Sequence, residues 1–232
     1  MEDLVSTGIP LVDDFLHGGI PPGKVTHVYG SAGSGKTTFA LKLAASVAQL
    51  NLKVLYIDSG NQFSSERLRQ LCGNTFNLAS KNIIVIQPKT FLEQSEVIDR
   101  LEPFLGKDVQ LVIVDAITAL YRRGLTKDKE RTVIYHQELN RQIAVLLDSA
   151  VHHQIPLVLT NQVTAKPDVP EAVPAAPSIL RYWEHISICL ESEPRSTMGI
   201  RLLTVSQGDR SLTVRLIIDE KGLLPSEPSK TE

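Results

Sequence analysis

The segment GSAGSGKT, residues 30–37, constrains the fold of this chain more than any other part of the sequence. It satisfies the pattern G-x-x-x-x-G-K-[ST] in full, follows the apolar run VTHVY (residues 25–29) and precedes apolar residues at helical spacing. Glycines allow successive backbone N–H groups to turn inward around phosphate oxygens, and the following helix presents its positive N-terminus. The sequence therefore predicts a phosphate-binding loop between a strand and a helix.

The loop is expected to bind the phosphates of a nucleotide, and two of its residues have specific expected roles. Lys36 is expected to place a positive charge between the β- and γ-phosphates, and the Thr37 hydroxyl to coordinate Mg²⁺. The loop residues expected to bind the nucleotide are Gly30, Ser31, Ala32, Gly33, Ser34, Gly35, Lys36, Thr37 and Thr38.

A carboxylate follows a second apolar run, LVIVDA, at residues 111–116. Asp115 stands at the end of this predicted strand, and the carboxyl ends of parallel strands form the edge where ligands bind. We expect Asp115 to hold Mg²⁺ through water or beside the Thr37 hydroxyl. The alternative is an aspartate that caps the next helix.

Apolar β-branched runs alternate with helical segments along the first two thirds of the chain. Strands are predicted at residues 25–29, 54–57, 83–86, 111–114 and 156–160, and helices at 37–50, 65–71, 91–105 and about 132–152. This alternation predicts an α/β fold with βαβ units and a mostly parallel sheet. Because the strands are continuously apolar, we expect helices to cover both faces of the sheet.

The last third of the chain differs in character. Residues 186–190, 200–206 and 212–218 predict antiparallel edge strands added to the parallel core. The intervening segment KPDVPEAVPAAPS, residues 166–178, has four prolines and is expected to be a loop, neither helix nor central strand. Residues 1–224 are expected to form one domain, followed by a disordered tail at 225–232.

Composition excludes several classes of protein. The net charge of -2 gives no global case for nucleic-acid binding, so any DNA-binding surface must be a local basic patch. The acidic start MEDLVSTGIP is not a signal peptide, and no apolar run approaches the roughly 18 residues of a membrane span. Cys72 and Cys189 do not fit a zinc spacing or a disulfide framework, so two buried free thiols are expected. The chain is therefore predicted to be cytoplasmic.

The order of these motifs resembles the core of the RecA/RadA recombinases, a RecA-like P-loop NTPase fold, over residues 6–223. The segments that carry the resemblance are STGIPLVDDFLHGGIPPGKVTHVYGSAGSGKT, YIDSGNQFSSERL, LVIVDAITALYR and LVLTNQVTAK. The recombinases themselves also have an N-terminal DNA-binding domain and a Phe-x-x-Ala filament motif, and this sequence shows neither. A paralogue consisting of the core alone is expected, with ATP and Mg²⁺ as ligands.

The resemblance assigns roles to three further polar residues. Gln162 matches the glutamine that senses the γ-phosphate and couples it to the second DNA loop; the alternative is a polar residue that satisfies a strand end. Arg67 matches an arginine that stacks on adenine, and Gln70 matches a residue that hydrogen-bonds the base. Their spacing of three lets these two share a helix face, although exposed helix residues without a ligand role are the alternative.

The resemblance fails at the residue that activates water. The family places a glutamate two residues after the strand-end aspartate, where this chain has Gly60. Glycine cannot deprotonate water, so a general-base contribution of about 10²–10⁴-fold would be missing. Asp58 is a candidate substitute with a structural role of its own, and Glu66 belongs to the following helix. We expect ATP binding with very slow hydrolysis.

Basic residues cluster in YRRGLTKDKER, residues 121–131, which matches the first DNA loop of the recombinases. In a mobile loop they would contact DNA phosphates, while Tyr121 would stack or pack; a solvated charged face is the alternative. Tyr182 and Trp183, after the second loop, are expected to anchor the next strand. The residues expected to bind DNA, independently of base sequence, are Arg122, Arg123, Lys127, Lys129, Arg131 and Lys166.

Three functions are consistent with these features. The first is a nucleotide-gated accessory protein of homologous recombination, for which the resemblance implies the RadA recombinase and a Holliday-junction resolvase as partners. The second is an active DNA-stimulated ATPase or small recombinase, and the third is a signalling ATPase resembling the KaiC branch. Because ATP sites of the family lie between subunits, a homodimer or higher assembly would complete this one.

Overall fold

The computed structural model describes residues 4–126, 128–164, 173–193 and 199–225. Within these ranges the helices are α1 (Pro10–Phe15), α2 (Lys36–Ala48), α3 (Ser65–Cys72), α4 (Phe76–Asn82), α5 (Phe91–Asp99), α6 (Ala119–Gly124), α7 (Lys129–His153) and α8 (Pro177–Trp183). The strands are β1 (Val25–Gly30), β2 (Lys53–Ile57), β3 (Ile83–Ile86), β4 (Val109–Val114), β5 (Leu157–Thr164), β6 (Val173–Pro174), β7 (Ile186–Ser192), β8 (Ile200–Gln207), β9 (Arg210–Asp219) and β10 (Gly222–Pro225).

One sheet organises the chain, in the strand order β10-β9-β8-β7-β1-β5-β4-β2-β3. The strands from β7 to β3 run parallel to one another, whereas β8, β9 and β10 continue the sheet in antiparallel fashion. The two-residue strand β6 pairs with the end of β5. This arrangement confirms the predicted α/β fold with a mostly parallel sheet.

Helices cover both faces of the parallel strands, which explains why those strands are continuously apolar. In β2, Val54 and Tyr56 face the core formed with α2, α3 and α4, while Leu55 and Ile57 face the core formed with α5, α6 and α7. All four side chains are fully buried. The helices on both faces therefore fix the position of the sheet edge at the carboxyl ends of the strands.

Several boundaries differ from those predicted. The strand predicted at residues 186–190 is not an antiparallel edge strand, because β7 pairs in parallel with β1 and only its other edge is antiparallel to β8. Helix α5 ends at Asp99 because Pro103 cannot continue an α-helix; a 3₁₀ turn, Glu102–Phe104, follows.

The proline-rich segment is not a loop throughout. Residues 165–172 lie outside the described ranges, but Pro177 is the first residue of α8, a position at which proline favours helix formation. Pro225, expected to begin the tail, is the last residue of β10, and residues 226–232 are outside the described ranges. None of the described helices has the length and hydropathy needed to cross a membrane.

Candidate nucleotide-binding site

The phosphate loop connects β1 to α2 and depends on glycine at two positions. A side chain at Gly30 would collide with the backbone oxygen of Leu190 in β7 and with the Ser34 hydroxyl. Gly35, the N-cap residue of α2, has a φ of 107°, in the left-handed region that favours glycine. The loop therefore passes close against β7 before it enters the helix.

Lys36 lies at the first position of α2, and its ammonium group contacts the loop backbone. Its Nζ donates to the carbonyl oxygens of Gly30 at 3.0 Å and Ser31 at 2.7 Å. Burial lowers the pKa of Lys36, and the nearby carboxylate of Asp115 opposes part of that change. The lysine side chain is thus directed into the loop, where it contacts the backbone carbonyls.

Asp115 follows β4 and is buried between the two neighbouring strands of the sheet. Tyr56 in β2 donates its hydroxyl to Asp115 Oδ2 at 2.7 Å, and the Thr160 hydroxyl in β5 donates to Oδ1. Helix α6 begins four residues later with Thr118 as its N-cap residue. The structure therefore does not support the alternative in which Asp115 caps that helix.

We expect Tyr56→Phe to lower the free energy of unfolding by about 1–3 kcal/mol, because it leaves one oxygen of a buried carboxylate without its donor. Burial and Asp115 raise the pKa of Tyr56 well above its ordinary value, so its hydroxyl remains a donor at neutral pH. Urea denaturation would measure the change. Tyr121→Phe is the matched control, because Tyr121 is equally buried but its hydroxyl has no hydrogen-bond partner among the described residues. Equal losses in the two variants would contradict the prediction.

The loop after β2 brings Gly60 and Gln62 next to Thr37 and Asp115. Gln62 Oε1 accepts a hydrogen bond from the Thr37 hydroxyl at 3.2 Å, and Gly60 N donates to the Asp115 backbone oxygen at 2.9 Å. The Asp58 carboxylate is buried and accepts from the backbone N–H of Gln62 and Phe63 and from the Gln87 side chain. Asp58 thus supports this loop and does not face the cavity.

These elements enclose a cavity of about 570 Å³ at the carboxyl ends of β1, β4 and β5. Most of its wall is formed by the phosphate loop, the Gly60–Gln62 turn and the residues that follow Asp115. The predicted site residues that line it are Ala32, Gly33, Gly35, Lys36, Thr37, Thr38, Gly60, Asp115, Arg122, Arg123 and Gln162. Gly30 and Ser31 line a smaller cavity of about 240 Å³, and Ser34 is buried beneath the loop.

Two arginines expected to bind DNA lie in the wall of this cavity. Arg122 Nη1 donates to Gln162 Oε1 at 3.2 Å, and Arg123 is exposed at the rim. Gln162 pairs in register with Gly30 across β1 and β5, which places it beside the loop. The structure thus places these arginines in the same cavity as the loop at residues 30–37 and Asp115.

The rest of the predicted DNA loop is helical at both ends. Residues 121–124 belong to α6 and 129–131 to α7, so the prediction of one continuous loop is wrong. Tyr121 is buried and packs on Phe91 and His136. Lys129 and Arg131 are exposed on the first turn of α7. Lys127 and Lys166 are outside the described ranges.

Arg67 and Gln70 share one face of α3, as their spacing predicts, but neither lines the cavity. Arg67 Nη1 donates to Gln70 Oε1 at 2.8 Å, and the guanidinium also donates to the carbonyls of Asp219, the last residue of β9, and of Glu220, which follows it. Ile218, the residue before Asp219, does line the cavity. Because Asp219 is adjacent to Ile218 in the chain, the Arg67–Gln70 pair lies next to the cavity wall without forming part of it.

Tyr182 and Trp183, expected to anchor the next strand, behave differently from each other. The Trp183 indole N–H donates to Asn140 Oδ1 in α7 at 2.9 Å, whereas Tyr182 is 77% exposed. Both cysteines are free thiols; Cys72 is buried, as expected, whereas Cys189 is only half-buried.

Sequence reasoning missed the residues that support the site from other strands. Arg201 in β8 donates to the carbonyl oxygens of Ser34 at 3.1 Å and Gly33 at 3.2 Å, and so holds the outside of the phosphate loop. Nothing local in the sequence indicates this contact, which spans 167 residues. Tyr56 interrupts the aliphatic run of β2, and Thr160 follows the aliphatic residues 157–159 of β5; that pattern is a signal by which both partners of Asp115 could have been found.

Comparison with known proteins identifies the family. A family model described as Rad51 matches residues 3–179. The "DNA repair and recombination protein RadB" of Methanobrevibacter smithii is 36% identical over 188 residues, covering 78% of each chain. That of Methanococcoides burtonii is 35% identical over 200 residues, covering 86% of each. A crystal structure of the RadB recombinase superposes with a TM-score of 0.80 at 32% identity, covering 97% of this chain and 100% of that one. The chain therefore belongs to the Rad51 family and, within it, to the RadB proteins.

Proposed function

We propose that this protein binds ATP with Mg²⁺, binds DNA, and acts as an accessory recombinase paralogue in homologous recombination and DNA repair. It hydrolyses ATP very slowly and does not exchange strands on its own. The observation that carries the proposal is a single cavity where the phosphate loop, Asp115 and Gln162 meet while Gly60 leaves the catalytic position without a side chain.

The composition of the cavity wall supports binding of a triphosphate. The Lys36 ammonium has only neutral carbonyl partners among the described residues, and a phosphate would offer it a charged acceptor. Ile218 provides an apolar surface beside Gly35 for the base. A base at Ile218 would lie next to Arg67 and Gln70, which contact the neighbouring turn.

Thr37 and Asp115 supply the hard oxygen ligands that Mg²⁺ prefers. A carboxylate has about four lone-pair sites, so Asp115 can accept from Tyr56 and Thr160 and still receive a hydrogen bond from a metal-bound water. The Thr37 hydroxyl donates a hydrogen bond to Gln62 Oε1, so its oxygen lone pairs are available to the metal. These residues fit a Mg²⁺ ion, which would neutralise phosphate charge when bound.

Slow hydrolysis is expected because, within the part of the chain that the structure describes, the cavity lacks a carboxylate that could act as a general base. Among the described residues that line the cavity, Asp115 is the one carboxylate, and its proposed role is with the metal. Asp58 holds the backbone of its own loop, and Glu66 is exposed on α3 outside the cavity wall. The described part of the site therefore has no residue placed to take a proton from water.

We assign DNA contact to the exposed basic residues at the start of α7. Lys129 and Arg131 lie on its first turn, where Asp128 caps the helix by accepting from the backbone N–H of Glu130 and Arg131. Lysine and arginine side chains at such a position would contact DNA phosphates, and the resulting affinity would decrease as the salt concentration rises. The proposed protein partners are the RadA recombinase and a Holliday-junction resolvase, and the proposed assembly is a homodimer or higher oligomer.

The proposal is tested by measuring ATP affinity and ATP turnover on one sample, with and without single-stranded DNA. We expect saturable ATP binding with turnover at least about 100-fold below the 1–10³ s⁻¹ typical of enzymes. DNA binding should weaken steeply between about 50 and 200 mM salt. DNA-stimulated turnover in the ordinary enzymatic range would instead indicate an active recombinase ATPase, and failure to bind ATP would remove the nucleotide from the function.

A further inference from the structure

Arg122 occupies a different environment from the other basic residues of its segment. It is half-buried, lines the main cavity and hydrogen-bonds Gln162, whereas Lys129 and Arg131 are exposed on α7. Its guanidinium has no carboxylate within ion-pair distance among the described residues. An arginine has five N–H donors, so most of those of Arg122 remain available to a ligand.

The position of Arg122 is fixed by buried contacts at the base of α6. The Thr118 hydroxyl donates to Asn161 Oδ1 at 2.6 Å, and Ile117 N donates to the Thr160 carbonyl at 3.1 Å. Tyr121, the preceding residue, is 2% exposed in the core on the opposite side. These contacts tie α6 to β5 directly beside Gln162 and direct Arg122 toward the end of that strand.

The charges in the cavity favour a strongly anionic ligand. Lys36, Arg122 and Arg123 line its wall with Asp115 as the one described carboxylate. Lys36 lies at the phosphate loop, and Gly30 of that loop is the register partner of Gln162, which accepts a hydrogen bond from Arg122. A phosphate chain held at the loop would therefore have Gln162 and Arg122 beside it in the same cavity.

We propose that Arg122 binds the terminal phosphate of ATP within its own subunit, together with Gln162, and is not a DNA contact. This inference rests on the proposed ATP binding and specifies its γ-phosphate end. The planar guanidinium can donate hydrogen bonds to two oxygens of a terminal phosphate at once, and a diphosphate that ends nearer the loop would not supply those oxygens. The bound phosphate would thereby connect the nucleotide to α6 and the basic start of α7.

The test compares the affinities for AMP-PNP and ADP, each with Mg²⁺, in the wild type and in Arg122→Gln, Arg122→Lys and Arg131→Gln. We expect Arg122→Gln to weaken AMP-PNP binding about 10- to 100-fold, the range for charge-assisted hydrogen bonds, while ADP binding changes less than about threefold. Arg122→Lys keeps the charge without the planar fork and should fall between. Arg131→Gln is the control, expected to weaken binding to a single-stranded oligonucleotide and leave both nucleotides unaffected.

Each other outcome counts against the inference. Equal weakening of AMP-PNP and ADP in Arg122→Gln, with a thermal unfolding midpoint like that of the wild type, would mean that Arg122 does not discriminate the terminal phosphate. Unchanged nucleotide binding with weakened oligonucleotide binding would return Arg122 to the DNA surface. If the wild type binds ADP and AMP-PNP, either result overturns only this inference. If it binds neither, the proposed function and the inference both fail.

Discussion

Lys36→Ala is expected to weaken ATP binding by about 10²–10⁴-fold, because it removes charge-assisted hydrogen bonds that contribute about 1.5–3 kcal/mol each to two phosphates. The same change deletes the contacts from Nζ to the carbonyls of Gly30 and Ser31, so the free loop also loses an internal support. Isothermal titration with ATP and Mg²⁺ would measure the affinity, and thermal unfolding would report the effect on the apo protein.

Lys42→Ala is the matched control for that measurement. Lys42 also lies on α2, is partly buried, and donates to two carbonyls, those of Gly8 at 3.1 Å and Leu223 at 2.6 Å. Burial lowers its pKa as it does for Lys36. Because Lys42 does not line the cavity, its loss should lower stability and preserve ATP affinity. Similar affinity losses in both variants would show that the Lys36 effect is structural.

Gly60→Glu is expected to raise ATP turnover by about 10- to 100-fold, a part of the 10²–10⁴-fold that a positioned general base contributes. The site can accept the side chain. A Cβ at Gly60 would lie 3.4 Å from the Asp115 backbone oxygen and 3.5 Å from Ala116 N and Gln62 Cγ, which are ordinary van der Waals contacts. Gly60 also lines the cavity, so a carboxylate there would face the nucleotide. Steady-state phosphate release at saturating ATP would measure the gain.

Gly60→Gln separates general-base chemistry from the effect of filling space. Glutamine has nearly the same size and hydrogen-bonding reach but cannot take a proton at neutral pH. We expect no gain in turnover from Gly60→Gln and a gain from Gly60→Glu at similar ATP affinity. Unchanged turnover in both variants, with ATP bound, would mean that the slow step does not depend on a base at this position.

The role of Asp58 illustrates how far sequence reasoning reached. By sequence, Asp58 at the end of β2, two residues before Gly60, is a candidate replacement for the missing base, although a strand-end aspartate also has a structural role. In the structure its carboxylate accepts two backbone N–H groups and the Gln87 amide, so it stabilises the turn that carries Gly60. Sequence spacing identified the strand end, but only the partners of the carboxylate show what Asp58 does.

Local spacing and continuously apolar strands are enough to predict the loop at residues 30–37 between a strand and a helix, the strand-end position of Asp115 and the parallel sheet, and Gly60 is read directly from the sequence. Which charged groups meet depends on the tertiary packing. Arg122 and Arg131 lie nine residues apart in one basic segment, yet one lines the cavity and the other is exposed on α7. Arg201 reaches the loop from β8. Side-chain direction depends on helix phase and on long-range packing, such as the burial of Tyr121. Long-range packing of this kind cannot be predicted from a local sequence pattern.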